Sequence, residues 1–140
     1  AHKTGVDIAL ENVWNRFLLS PMEWKIYLDS LHDSAVGMYF DVGNCCIYGR
    51  PSDYVKILGS HIKAVHLKNF IETDCGGGLH GFGDDLLSGE VDFGALFDSL
   101  TEIGYDGPFT VEMIPFSRLP NLTLPDFELT ETTVKKLKSL

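Results

Sequence analysis

Four short apolar runs in the sequence each end on a residue that can bind a divalent metal ion. These runs are Ile8-Ala9-Leu10-Glu11, Met38-Tyr39-Phe40-Asp41, Lys63-Ala64-Val65-His66 and Phe109-Thr110-Val111-Glu112. Their apolar character is typical of parallel β-strands that are covered by helices. When such strands lie side by side, their carboxyl ends meet at one edge of the sheet, which is the usual place for an active site. We therefore expect the four terminal side chains to share one rim.

Three carboxylates and one imidazole form an oxygen-rich ligand set. It suits Mn²⁺, Mg²⁺, Co²⁺ or a catalytic Zn²⁺ better than a structural Zn²⁺, which prefers thiolates. A divalent ion would relieve the repulsion between the carboxylates, and it would stabilise an enediolate formed beside a bound carbonyl group. Glu11 and Glu112 come from the first and last strands, so they are the pair that could move a proton on opposite sides of a substrate. A single carboxylate at a strand end is often only a helix cap, so the interpretation depends on all four positions together.

The segments between the four runs predict helices, so that strands and helices alternate along the chain. Ser20-Pro21-Met22-Glu23 combines a capping residue, a proline suited to the first turn and the glutamate of a capping box. Apolar residues at helical spacing predict further helices over residues 51–58, 93–103 and 130–140, and Gly104 is expected to end the second of these. The predicted strands cover residues 6–13, 36–42, 62–70 and 109–113. This order indicates an α/β fold with a parallel sheet and right-handed crossovers, in one domain over residues 1–140.

Alternation within each predicted strand divides its residues between two faces of the sheet. The residues expected to share a face with the four candidate ligands are small or mixed in character: Asp7, Ala9, Gly37, Tyr39, Ile62, Ala64, Pro108 and Thr110. The opposite face is richer in Ile, Leu, Val and Phe, as expected where helices pack. This division is typical of the interior and exterior of a barrel.

The composition disfavours several other classes of protein. Eleven Lys and Arg residues against 20 Asp and Glu residues give a net charge of −9, which disfavours nucleic-acid binding. There is no apolar run of the roughly 18 residues that a membrane span requires, and the first residues lack the apolar core of a signal peptide. The three cysteines, Cys45, Cys46 and Cys75, show no CxxC spacing. Their odd number favours the reducing cytoplasm over a disulfide framework.

The chain also resembles the sugar phosphate isomerase/epimerase family of xylose isomerase-like TIM barrels. The matching motifs, in family order, are Leu10-Glu11-Asn12-Val13-Trp14-Asn15-Arg16-Phe17, Phe40-Asp41-Val42-Gly43-Asn44, Val65-His66-Leu67-Lys68-Asn69-Phe70, Gly104-Tyr105-Asp106-Gly107 and Val111-Glu112. The resemblance implies a metal site built from Glu11, Asp41, His66 and Glu112. It also implies a metal-assisted epimerising proton transfer on a keto sugar or its phosphate, with the two glutamates as both ligands and acid/base groups.

The resemblance covers only the C-terminal half of such a barrel. A complete TIM barrel needs about 250 residues, and the 140 residues of this chain correspond to strands five to eight. Four barrel strands alone leave two open edges, which promote association. We therefore expect a second chain, another copy or a longer parent chain to complete the barrel. The isolated chain could then be inactive even with all four ligands present.

Two positions depart from the family pattern. Asn69 replaces the aspartate of a His-x-Lys-Asp pattern, which removes a charge next to Lys68. Asn44 stands where related ketose 3-epimerases carry a histidine, three residues after the second ligand, so a contact with a substrate hydroxyl would differ. The family also includes AP endonucleases, which need more histidines for three metals.

The candidates for binding substrate are Trp14, Arg16, Asn44 and Lys68. Trp14 could form an aromatic wall for the sugar, or it could simply pack on the next helix. Arg16 and Lys68 could contact phosphate or hydroxyl groups, although a lysine at a strand end is also often solvated. A glycine-rich segment at 76–83 is either a lid or a flexible surface connector. Two other functions stay open: a dehydratase acting on a cyclic polyol through the same metal site, and a non-catalytic half-barrel that acts only in assembly.

Overall fold

The computed structural model describes residues 1–71, 85–112 and 127–140. Its elements are β1 (Ile8–Glu11), α1 (Pro21–Leu31), β2 (Val36–Asp41), α2 (Val42–Cys45), α3 (Pro51–Leu58), β3 (Ile62–Lys68), α4 (Phe93–Glu102), β4 (Phe109–Glu112) and α5 (Phe127–Leu137). A 3₁₀ turn, Gly59–His61, joins α3 to β3. The predicted order is confirmed, but several predicted bounds differ from the structure. β1 covers Ile8–Glu11 rather than residues 6–13, β3 ends at Lys68 rather than at residue 70, and α5 begins at Phe127 rather than Thr130. The one-turn helix α2 follows β2 where the prediction continued the strand to residue 42. The glycine-rich segment at 76–83 lies outside the described residues.

The four strands form one parallel sheet in the order β1-β2-β3-β4. Each strand pairs with the next strand along the chain, so the predicted α/β fold of parallel β-α repeats is confirmed. Within the described parts of the chain, β1 and β4 have one neighbouring strand each and form the two edges. Ile8 and Phe109 on these edges are 47% and 46% exposed. No helix in the described residues has the length and apolar character needed to cross a membrane.

Local signals in the sequence set the ends of two helices. The Ser20 side chain accepts a hydrogen bond from the Glu23 N–H, and the Glu23 carboxylate accepts one from the Ser20 N–H, so the predicted capping box is present. The Asp92 side chain caps α4 by accepting from the Ala95 N–H. Just beyond α4, Gly104 has a φ of +69°, a left-handed conformation that glycine adopts without strain.

The hydrophobic core lies between the sheet and the helices on one of its faces. Phe40 of β2 stacks on Tyr54 of α3, with ring centroids 5.6 Å apart. The buried apolar residues of this core include Trp24, Leu28, Met38, Val55, Leu58, Val65, Leu67, Leu96 and Leu100. Each strand thus turns its apolar alternate residues toward the helices, and this packing fixes which residues lie on the opposite face.

The opposite face carries the candidate ligands, but one residue was assigned to it wrongly. Ile62 is buried in the apolar core, because the pairing of β2 with β3 shifts register between Met38 and Tyr39. As a result, Lys63 reaches the ligand-bearing side and forms an ion pair with Asp7 at 3.0 Å. A β-carbon at Gly37 would lie 2.3 Å from the His61 carbonyl oxygen, so only glycine allows this close approach of the chain.

Candidate functional site

The candidate ligands come together on a staggered rim rather than a level one. In the sheet register, Asp41 is opposite His66, whereas Glu11 is opposite Tyr39 and Glu112 is opposite Lys68. Glu11 therefore lies level with Tyr39, two residues before Asp41 on β2. Glu112 lies level with Lys68, two residues after His66 on β3. This stagger is what strand tilt produces in a barrel sheet. The side chains still meet, because long glutamates at both ends reach toward the centre.

The His66 ring lies between the two glutamates. Its Nδ1 is 3.2 Å from Oε1 of Glu11 and 3.4 Å from Oδ2 of Asp41, and its Nε2 is 3.4 Å from Oε2 of Glu112. The ring also packs on Tyr39, with centroids 5.5 Å apart. The two sides of the imidazole thus face carboxylates from opposite edges of the sheet.

Asp41 is fully buried, and its two oxygens have different surroundings. Oδ1 accepts a hydrogen bond of 2.8 Å from the Asn44 N–H and so caps the short helix α2. Oδ2 is buried without a hydrogen-bond partner among the described residues. Burial raises the pKa of the Asp41 carboxyl to about 6, although the nearby Lys68 ammonium opposes the rise. One oxygen of the carboxylate thus caps a helix, and the other has no hydrogen-bond donor among the described residues.

The unsatisfied oxygen is the observation that tests whether a metal fits here. One donor atom from each of Glu11, Asp41 and His66 lies within 4.8 Å of the other two, which is close enough for a common ion. Buried polar atoms are normally paired, so an orphaned carboxylate oxygen in such a group indicates a site that suits a cation. The two oxygen donors and one nitrogen donor suit the divalent ions expected from the sequence. Glu112 lies outside this tight group, on the far side of the imidazole.

Asn12 is a site residue that was not identified from the sequence. Its Nδ2 donates to the Asp41 carbonyl and its Oδ1 accepts from the Asp41 N–H, both at 2.8 Å. The Asn44 Nδ2 in turn donates to the Asn12 carbonyl at 2.9 Å. These buried amides tie the end of β1 to the end of β2. The signal was the position of Asn12 directly after the first ligand, where a buried amide can reach the neighbouring strand.

Lys68 has its side chain almost fully buried, at 8% exposure, beside two carboxylates. Its Nζ is 3.0 Å from Oε2 of Glu112 and 3.7 Å from Oδ2 of Asp41. The alternative of a solvated lysine at a strand end is therefore wrong. The contact with substrate that the sequence suggested stays a prediction.

The remaining candidates lie in the loops after β1 and β2. The Trp14 Nε1 donates to the Asn44 carbonyl at 3.0 Å, and its ring packs edge-on against Phe70. Trp14 thus holds the loop after β1 against Asn44 and Phe70. Arg16 is exposed and has a φ of +62°, in the left-handed region. The structure places Trp14 and Asn44 next to the ligand group and leaves Arg16 at the surface, and none of these contacts by itself assigns a substrate role.

The comparisons with known proteins agree with the fold. A family model described as xylose isomerase-like TIM barrel matches residues 1–140. The chain is 32% identical over 116 residues to SgbU of Escherichia coli (strain K12), a protein named provisionally as an L-ribulose-5-phosphate 3-epimerase, with 81% of this chain and 40% of that protein covered. An uncharacterized protein of Methanocaldococcus jannaschii is 29% identical over 121 residues, which cover 80% of this chain and 38% of that protein.

Solved structures show the same architecture. The D-allulose 3-epimerase of Methylomonas sp. superposes with a TM-score of 0.77 at 22% sequence identity, covering 99% of this chain and 50% of that chain. At this identity the likeness shows the fold alone. The chain spans about two fifths of the length of the curated relatives it matches. Because the family model matches residues 1–140, the chain belongs to the xylose isomerase-like TIM barrel family.

Proposed function

We propose that this chain carries the metal-binding and proton-transferring part of a divalent-metal-dependent isomerase or epimerase of sugars or sugar phosphates. The observation that carries the proposal is the group formed by Glu11, Asp41 and His66, with a buried Asp41 oxygen that has no hydrogen-bond donor in the described parts of the chain. The group lies at the carboxyl ends of parallel strands, which is where α/β enzymes have their active sites.

The metal would be held by Glu11, Asp41 and His66, with Glu112 as the fourth ligand. Mn²⁺, Mg²⁺, Co²⁺ and Zn²⁺ all accept this combination of carboxylates and imidazole. A bound divalent ion would polarise the carbonyl group of a keto sugar and acidify the C–H bond beside it. The buried surroundings of Asp41 strengthen this electrostatic effect, because water is excluded from that side of the site.

Glu11 and Glu112 are the proposed acid/base pair. They come from the two edge strands and lie on opposite sides of the His66 ring, at 3.2 Å and 3.4 Å from its two nitrogens. A sugar bound between Glu11 and Glu112 would have a carboxylate on each face. One carboxylate removes the proton from the carbon beside the carbonyl, and the other returns a proton to the opposite face, which inverts that carbon.

The names of the relatives favour ketoses as the substrate class. SgbU is named for a ketose phosphate, and the Methylomonas enzyme, named for a free ketose, has been solved in complex with D-allulose. Both names describe inversion at carbon 3, whose hydrogen is adjacent to the carbonyl group at carbon 2 of a ketose. The reaction proposed for this chain is therefore proton exchange at that carbon.

We further propose that the chain is the C-terminal half of the barrel and acts together with a completing half. The open edges of β1 and β4, within the described residues, and the partial coverage of the relatives support this. A second chain, another copy or a longer parent chain would pair with both edges. The pocket that selects the sugar would then be shared between the two halves.

Solvent exchange tests the catalytic proposal. This chain, alone and joined to the N-terminal half of the Escherichia coli relative, is incubated with Mn²⁺ and D-allulose or L-ribulose 5-phosphate in D₂O. Deuterium should enter at carbon 3, and Glu112→Gln should abolish that exchange while metal stays bound. Glu102→Gln on the exposed side of α4 is the matched control and should exchange like the unmodified chain.

Three outcomes would contradict the proposal. Exchange that persists in Glu112→Gln would remove this glutamate from the mechanism. Failure of the unmodified chain, with its completing half, to bind Mn²⁺, Co²⁺ or Zn²⁺ in equilibrium dialysis would sink the metal-dependent function. Loss of water from an inosose-type substrate, without exchange on ketoses, would point instead to the dehydratase.

A further inference from the structure

Lys68 is a buried cation inside a group of proposed metal ligands. It is the direct partner of Glu112 in the register of β3 and β4, and its ammonium lies 3.0 Å from that carboxylate. The same ammonium is 3.7 Å from the orphaned oxygen of Asp41. With 8% of its side chain exposed, Lys68 has little surface left for a substrate group.

The charges that the described residues place around this lysine can be counted. Among them, Glu11, Asp41 and Glu112 contribute three negative charges and Lys68 contributes one positive charge, which leaves two net negative charges with a neutral His66. A single divalent cation cancels this charge. Asp41 and Lys68 are buried, so leftover charge beside them is costly, and the charge balance favours a divalent ion over a monovalent or trivalent one.

We propose that Lys68 is a positioning residue that holds the Glu112 carboxylate at the rim and matches the net charge of the site to one divalent cation. This inference rests on the proposed function, because it assumes that the same residues bind a metal. It assigns Lys68 to the ligand group rather than to a phosphate or hydroxyl group of the substrate.

The test is the ratio of the affinities of this chain for Tb³⁺ and Mn²⁺, measured by competition titration. Lys68→Met leaves a third net negative charge in the site. The affinity for Tb³⁺ relative to that for Mn²⁺ should therefore rise by about tenfold or more, as expected for one extra charge pair at about 4 Å in a partly screened site. Lys68→Arg keeps the charge, so the ratio should stay near that of the unmodified chain. A ratio reports charge and not general damage to the fold, because damage would weaken both ions together.

Glu112→Gln changes the charge in the other direction and provides a second, independent variant. It should shift the ratio toward Mn²⁺, and the double variant Lys68→Met/Glu112→Gln should return the ratio to near its original value. If Lys68→Met does not fold, Glu112→Gln alone still tests the charge balance. Lys63→Met, which removes a lysine of the same strand that pairs with Asp7 instead, is the matched control and should leave the ratio unchanged.

If the affinity ratio stays within about twofold of the unmodified chain's ratio in both Lys68→Met and Glu112→Gln, Lys68 has no charge-matching role. The proposed function would still stand in that case, provided that the unmodified chain binds Mn²⁺. If the unmodified chain binds neither ion, the inference and the metal-dependent function both fail. The two failures are therefore distinguishable by whether Mn²⁺ binds at all.

Discussion

The side chain of Asn12 makes two hydrogen bonds to the backbone of Asp41, one to its carbonyl group and one from its N–H, both at 2.8 Å. Through these bonds Asn12, which directly follows β1, fixes the position of the buried candidate ligand Asp41 at the end of β2. The position of the Asp41 carboxylate should therefore depend on this clamp between Asn12 and Asp41.

Asn12→Ala should lower the free energy of unfolding by about 1–3 kcal/mol, because it leaves buried backbone groups of Asp41 unpaired. It should also weaken binding of Mn²⁺, since Asp41 loses its fixed position. Urea denaturation and metal titration measure the two effects. The control is Asn15→Ala, whose side chain makes an exposed contact with the Phe17 N–H. Equal losses in both variants would show that the clamp has no special role.

The buried Asp41 carboxyl should make the metal-free chain less stable as the pH rises. Its pKa of about 6 lies above the ordinary value of 3.8, so the folded chain binds this proton more tightly than the unfolded chain does. The resulting stabilisation is complete below about pH 4 and is lost as the pH rises through 6. It amounts to roughly 2–3 kcal/mol. Asp41→Asn should remove this part of the pH dependence in chemical denaturation.

A second carboxyl provides a control for this pH dependence with the opposite sign. The pKa of the exposed Asp29 lies below its ordinary value, chiefly because of its hydrogen bond with Lys25 and also because of His61. Its contribution should therefore be lost as the pH falls, and Asp29→Asn should leave the loss of stability near pH 6 in place. A profile that Asp41→Asn does not alter would contradict the role of Asp41.

Restoring the family aspartate at position 69 should destabilise this chain rather than improve it. Asn69 is buried, its Nδ2 donates to the Asp85 carbonyl at 2.7 Å, and its Oδ1 accepts from the Phe70 N–H. Asn69→Asp removes the donor and places a carboxylate against a carbonyl oxygen, so the free energy of unfolding should fall by about 1–3 kcal/mol at neutral pH.

Thermal and urea denaturation of Asn69→Asp measure this loss. Asn15→Asp is the matched control, because an exposed carboxylate can still accept from the Phe17 N–H, and it should cost little. An Asn69→Asp variant as stable as the unmodified chain would mean that the Asp85 contact contributes nothing.

The isolated chain should associate through its open edges. Among the described residues β1 and β4 each have one free edge, and exposed strand edges pair with other strands. Sedimentation velocity should show species larger than a monomer, and Ile8→Lys on β1 should reduce them, because edge lysines oppose strand pairing. Ile26→Lys on the exposed face of α1 is the control and should have no effect. A well-folded monomer of the unmodified chain would contradict the proposed incomplete barrel.

Much of this fold follows from local patterns in the sequence. The capping box at Ser20 and Glu23, the glycine after α4 and the apolar runs before each ligand predicted helices and strands that the structure confirms. These signals act over a few residues, so they are readable without knowing the partner strands. The alternation within strands also predicted which face carries the ligands.

The sequence by itself determined which candidate ligands lie at or near the carboxyl ends of the four strands, and so the kind of metal that they suit. The tertiary structure decided the register that places Lys68 opposite Glu112. It also decided the hydrogen bonds of Asn12 to Asp41 and the burial of the Ile62 side chain in the core. Register depends on how each crossover helix packs and on the irregularity between β2 and β3. These are relations between segments far apart in the chain, and no local pattern fixes them.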